Sequence, residues 1–225
     1  VELLENLRFN AGEVANDQEF VDFLIGGAGG QAFDGYVNDA FGVSHRAHAS
    51  VVGPPRQLPS AAGRLLETEI EVLGNLRSSP KRPFVAVLGG AKVSDKLGVI
   101  EALLEVVDRL LIGGGMCFTF LKAMGFSVGD SLCEDDQVET CKRIIEGGAS
   151  ILLPNDITAL SPDGVIGAGN GEVRQMGCSI PDGWKGLDIG PGSAAEFSDA
   201  LHEARTVFWN GPMGMFEDTR FAAGT

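Results

Sequence analysis

The sequence predicts an α/β protein of two lobes, with parallel strands flanked by helices. Three observations carry that expectation. From about residue 84 onward, short apolar or β-branched runs recur, each followed by a glycine or proline turn and then an amphipathic segment. Continuous apolar strands alternating with helices mark a parallel sheet covered on both faces. Glycine supplies 32 of 225 residues, about twice its usual share, with no Gly-x-y period. Finally, the polar stretch 77–83 follows a proline-bounded helix and reads as a boundary, giving a first lobe at 1–59, a connecting helix and hinge at 60–80 and a second lobe at 81–225.

In the first lobe a strand is expected at 3–9, a helix near 17–25, a glycine-rich bend at 26–30 and a strand at 36–40. A helix follows with Ser60 as N-cap and Leu65, Leu66, Ile70 and Leu73 on one face. In the second lobe the strands are FVAVL, RLLI, SILL, GLDI and TVFW. Lys96, Leu97, Ile100, Leu103, Leu104 and Val107 form a helical stripe, and Ser193 with Glu196 reads as a capping box opening a helix to about residue 204. The stretch 156–184 is too long for a simple connection and carries turn signals, so an irregular, partly hairpin-like excursion is expected.

Hydrophobic residues make up 44% of the chain and charged ones 21%, which argues for a packed core rather than disorder. The formal charge of -14 disfavours nucleic acid and anionic membrane surfaces as partners. The four cysteines are too far apart for zinc pairs or redox dithiols and read as reduced thiols. No signal peptide opens the chain, and the most apolar stretch, 110–126, is broken by Gly113, Gly114, Gly115 and Lys122. A soluble cytoplasmic protein is expected.

Glycine turns at one end of the strands favour a phosphorylated ligand, because ligands of open α/β sheets sit at strand carboxyl ends beside helix N-termini. The Walker spacing is absent. Gly190-Pro-Gly-Ser-Ala-Ala matches a Rossmann-like G-x-G-x-x-A, but no acid ends the next strand to hold a ribose. Lys92 and Lys96 lie four apart across a strand-to-helix turn, where they can supply positive charge at the sheet edge; as isolated lysines they read sooner as solvated surface, and their place just after Gly89-Gly90 is what favours the site. Glu217 is either a ribose acceptor or a first-turn helix carboxylate. Between Asp39 and Glu67 no acid occurs, while Arg46, Arg56, Arg64, His45 and His48 do. That basic patch suits a small anion, while His45 and His48 read equally as ordinary polar loop residues. His202 reads as a surface residue and no nucleophile elbow is present.

These residues resemble the phosphoglycerate kinase family. The resemblance rests on LLENLRFNAGE at 3–13, VNDAFGVSHRAHASVVG at 37–53, LPSAAGRLLETEI at 58–70, VLGGAKVSDKLGVI at 87–100, LLIGGGMCFTFLKAMG at 110–125, FSVGDSL at 126–132, IPDGWKGLDIGPGS at 180–193 and VFWNGPMGMFE at 207–217. It implies reversible phosphoryl transfer between 1,3-bisphosphoglycerate and ADP, giving 3-phosphoglycerate and ATP, with Mg2+ accompanying the nucleotide. By motif it implies Lys92 and Lys96 at the nucleotide phosphates, Lys96 being the transition-state lysine. Gly113, Gly114, Gly115 and Gly190 would flank the adenosine, and Asn210 and Glu217 would contact the phosphate or ribose side. Arg8, Arg46 and His45 would hold the triose phosphate, and bending near 60–78 would close the lobes.

The family's opening Arg-x-Asp-x-Asn motif and its later Gly-Gly-Gly-Asp segment, which helps hold the metal, are not among these 225 residues. Both lobes are therefore expected to be incomplete, the chain a middle portion with no metal ligand of its own, weak in nucleotide binding and negligible in turnover by itself. The full-length form is expected to be a monomer. Two other readings remain open on the residues alone: a non-catalytic α/β nucleotide-binding module, and a Rossmann-like oxidoreductase.

Overall fold

The computed structural model describes residues 3–27, 29–148 and 150–225. Contacts divide the chain into two units, Val1–Ser79 and Pro80–Thr225.

The first unit runs α1 (Ala11–Ala15), α2 (Gln18–Gly26), β1 (Tyr36–Asn38), α3 (Ala49–Val52), β2 (Ser60–Ala62) and α4 (Arg64–Ser78), with β1 and β2 paired in parallel. Asp17 starts α2, its carboxylate accepting from the amides of Glu19 and Phe20. Phe20 and Val21 then pack on Ala49. A buried carboxylate fixes α1 against α3: Glu13, 4% exposed, accepts from the amide and hydroxyl of Ser50 at 3.0 and 2.6 Å.

Three local expectations are corrected here. Residues 3–9 form no strand; Asn6 accepts from the amide of Arg8 and folds Leu7–Phe9 into a 3-10 turn. The strand at 36 stops at Asn38, whose side chain accepts from the amide of Ala40. Ser60 lies in β2, and α4 is instead capped from a distance by Asp39, which accepts from the amides of Leu65 and Leu66 at 2.7 and 3.0 Å. On α4, Leu66 is buried while Leu65 and Ile70 are exposed, so the buried stripe is narrower than the spacing implied. Position 28 of the glycine-rich bend lies outside the described residues.

The second unit contains β3 (Phe84–Leu88), α5 (Leu97–Leu104), β4 (Arg109–Ile112), α6 (Cys117–Ala123), α7 (Val138–Glu146), β5 (Ile151–Leu152), β6 (Asp156–Leu160), β7 (Val173–Gly177), β8 (Lys185–Ile189), α8 (Pro191–His202) and β9 (Thr206–Asn210). Among the described residues, four strands make a parallel sheet in the order β5-β4-β3-β9. Every residue of β3 is buried, as a strand covered on both faces requires. One face carries Ala86, Leu88, Leu110 and Ile112 against α5 and α6 residues, including Ile100, Phe120 and Leu121; the other carries Val85, Val87 and Leu111 against Phe197 and Ala200 of α8. Each fully buried aliphatic or aromatic side chain contributes roughly 1.5–3 kcal/mol.

GLDI, expected in the parallel sheet, belongs elsewhere. It forms β8 and pairs antiparallel with β6, which also pairs antiparallel with β7. The excursion at 156–184 thus contains a regular hairpin, as part of a second sheet ordered β7-β6-β8. The Ser193–Glu196 capping box is likewise replaced. Helix α8 begins at Pro191 with Gly190 as N-cap, and Ser193 points its hydroxyl at Asn155 and Asp156.

Candidate functional site

The parallel strands end level with one another, Leu88 aligned with Ile112 on one side and Asn210 on the other. The turns that follow are stitched together by their backbones. Gly89 donates to Asn210 O (3.0 Å), Gly90 to Pro212 O (3.1 Å), Gly113 to Leu88 O (2.9 Å), Gly114 to Met213 O (3.0 Å) and Met116 to Gly90 O (3.0 Å). Glycine is needed for this close approach. At Gly114, φ is +65°, and a Cβ would lie 2.5 Å from the Gly90 nitrogen and 2.8 Å from Pro212 O. These five amides are spent on neighbouring carbonyls, so the turns shape a wall more than they offer a phosphate cradle.

A half-open cavity of about 520 Å³ lies against this wall. Gly90, Ala91, Gly114 and Gly115 form its floor; Gly186 and Leu187 of β8, and Pro212, Met215 and Glu217 after β9, form its sides. Phe118, Leu132 and Ile166 add apolar surface. An apolar slot at strand carboxyl ends with a carboxylate on its rim suits a flat base joined to a hydroxylated sugar.

Of the sequence candidates, Gly114, Gly115 and Glu217 line this cavity. Gly113 lies just beneath it, packed on Met213. Lys96 and Asn210 are brought together: the Lys96 ammonium donates to the Asn210 carbonyl at 3.4 Å and also to its side-chain oxygen. Lys96 Cε lies 3.5 Å from where a Cβ on Gly90 would sit, so the lysine flanks the cavity floor. Burial pushes the Lys96 ammonium below the usual lysine range, partly opposed by the adjacent Asp95 carboxylate. Lys92 is exposed on the same turn and faces the Glu134 carboxylate. Although burial pulls Glu134 up, the hydroxyl and amide of Ser94, with Lys92 nearby, hold it below the usual range.

Gly190 does not belong to the cavity. A Cβ there would meet the Asp156 carboxylate, which accepts from the amides of Gly192 (2.9 Å) and Ser193 (2.6 Å) at the start of α8. That N-terminus is closed to a phosphate by a carboxylate of the chain itself. From β8 it is Gly186 that lines the cavity, its amide donating to Ser131 Oγ and its backbone packing on Phe118. Sequence reasoning passed over Gly186 and Leu187 because the strand-to-helix glycines at 190–192 carried the recognisable spacing. In the first unit, Arg8, His45 and Arg46 are all exposed, on the turn at 7–9 and the loop at 44–46. Among the described residues no group of three or more His, Cys, Asp or Glu is placed to hold a metal ion.

Sheet topology and cavity together define an α/β protein with an open cavity at the carboxyl edge of a parallel sheet. The family profile of phosphoglycerate kinase matches residues 1–225. Curated phosphoglycerate kinases from Salinispora arenicola and Rubrobacter xylanophilus are 55% and 54% identical, over 100% and 99% of this chain and 56% and 55% of their own lengths. Solved phosphoglycerate kinase structures from Coxiella burnetii and Pyrococcus horikoshii superpose with TM-scores of 0.80 and 0.79 at 35% and 33% identity, each over 98% of this chain and 56% of the other. The chain belongs to the phosphoglycerate kinase family. It spans about half the length of the curated relatives it matches.

Proposed function

We propose that the protein carrying this chain transfers a phosphoryl group reversibly between 1,3-bisphosphoglycerate and ADP, giving 3-phosphoglycerate and ATP. The observation that carries this reading is the cavity at the carboxyl edge, walled by Gly114, Gly115, Gly186, Leu187 and Met215, in a chain whose whole length falls within the family match. The base takes the apolar slot and Glu217 accepts from the ribose. The phosphates run toward Lys96, with Lys92 beside it. Positioning and positive charge on the transferring oxygens are most of what phosphoryl transfer asks of a protein, and a lysine already short of water is suited to a phosphate oxygen. Magnesium enters with the nucleotide phosphates.

The triose phosphate is assigned to the first unit, at the exposed Arg8, Arg46 and His45, of which Arg46 and His45 sit in a stretch free of acids between Asp39 and Glu67. The proposed setting is a cytoplasmic monomer acting on small molecules. In keeping with that, all four cysteines are free thiols, and no helix among the described residues is long and apolar enough to cross a membrane.

Coupled turnover of ATP with 3-phosphoglycerate by the full-length protein tests the reading. Turnover requiring both substrates and magnesium is expected. Nucleotide binding without turnover would favour a binding module instead, and stabilisation by NAD but not by Mg-ADP would favour an oxidoreductase.

A further inference from the structure

We propose that the Asp218–Arg220 ion pair is a positioning device for the nucleotide cavity, holding Ile166 in its wall; this rests on the functional reading above. The loop between β6 and β7 folds on itself, the Val165 amide donating to Asn170 Oδ1 (2.9 Å) and Asn170 Nδ2 to Asp163 O (3.2 Å). Two side chains, Asp218 and Arg220, hydrogen-bond it to the segment after β9. The Asp218 carboxylate accepts from the Gly167 amide (2.9 Å) and from Nε and Nη2 of Arg220 (2.9 and 2.6 Å). The same guanidinium donates onward to Asn170 O (2.6 Å) and Val165 O (3.3 Å).

Ile166 is therefore gripped on both sides, through the carbonyl before it and the amide after it, and it lines the cavity together with Met215 and Glu217. The pair is well sheltered, its side chains 21% and 6% exposed. A forked guanidinium makes such a bridge where a single ammonium cannot. Arg220 and Asp218 do not line the cavity, so their effect on a nucleotide passes through Ile166 and through Glu217, the neighbour of Asp218.

Steady-state kinetics of the full-length protein, with hydrogen exchange of residues 163–171, test the device. Arg220→Met is expected to raise the nucleotide KM about fivefold or more, leave kcat and the 3-phosphoglycerate KM within twofold, and lower amide protection at 165–168. Arg220→Lys should fall between Arg220→Met and the unsubstituted protein. Ile166→Ala, which truncates a half-exposed side chain and leaves the fold intact, should raise the nucleotide KM by a similar factor, and the double variant should be no worse than the worse single one. A nucleotide KM unchanged in folded Arg220→Met or Arg220→Lys, or fully multiplicative effects in the double variant, would overturn the positioning role alone. No nucleotide binding by the unsubstituted protein would overturn the functional reading and this role with it.

Discussion

The carboxylate of Asp156 accepts a 2.6 Å hydrogen bond from the amide of Ser193 and so occupies the N-terminus of α8. Gly192 donates to the same carboxylate and Gly190 to the Asp156 carbonyl, which ties the end of one sheet to the start of a helix. The glycine-rich opening of α8 therefore serves folding. Asp156→Ala is expected to lower stability by about 1–2 kcal/mol, the usual worth of a helix cap, while the nucleotide KM stays within twofold. Urea unfolding beside initial-rate kinetics checks both.

Acid should weaken the protein through the same contact and through the clamp. Burial pulls Asp156 up, but the Ser193 hydroxyl and the two amides outweigh it and hold the carboxyl below its usual range. The Arg220 guanidinium, followed by the Gly167 amide, holds Asp218 lower still. Groups with depressed folded values contribute stability that is present above the unfolded carboxyl pKa of about 3.9 and lost as pH falls through the folded value. Urea midpoints should thus decline below about pH 4, and Asp156→Asn should flatten that decline.

Lys96→Ala should lower kcat/KM by about 10²-fold or more, the scale seen when one preorganised transition-state donor is removed, with the unfolding midpoint nearly unchanged. Only the ammonium form attracts a phosphate. ADP affinity in the unsubstituted protein should therefore fall as pH rises through the lowered Lys96 pKa, and calorimetry across alkaline pH should lose that slope in Lys96→Ala.

Gly114→Ala and Gly98→Ala should part ways. At position 114 a side chain meets a left-handed backbone and the Gly90 turn, so a cost of about 1–3 kcal/mol and a raised nucleotide KM are expected. At position 98, near the start of α5, nothing lies within 4 Å of an added Cβ, and alanine should stabilise by about 0.5–1 kcal/mol. Thermal melts of both variants decide the contrast.

Strands β3, β4 and β9 were legible because each is an apolar run before a glycine turn, a pattern that burial sets in β3 and β4 and that β9 carries as an edge strand with Val207 and Trp209 exposed. GLDI, an apolar run broken by Asp188, also precedes a glycine turn, and its long-range pairing with β6 places it in the other sheet; no local signal reports a partner nearly thirty residues away. Ser60 failed as a cap for a related reason, since Asp39 reaches the α4 amides across 26 residues. At 3–9 the expected strand lost to Asn6, whose side chain competes for the backbone. In the site, Lys96, Gly114, Gly115, Asn210 and Glu217 stood in recognisable motifs, as did Gly186 and Leu187 within 180–193, where the glycines at 190–192 masked them; Ile166 reaches the cavity from the loop between β6 and β7, which the sequence pattern did not reveal.

Hydrogen exchange of the full-length protein with and without Mg-ADP locates the nucleotide. New protection is expected at 113–116, 185–187 and 212–217, with 190–193 at the start of α8 unchanged. Saturable ADP binding that protects 190–193 and leaves 185–187 and 212–217 unaltered would contradict this placement.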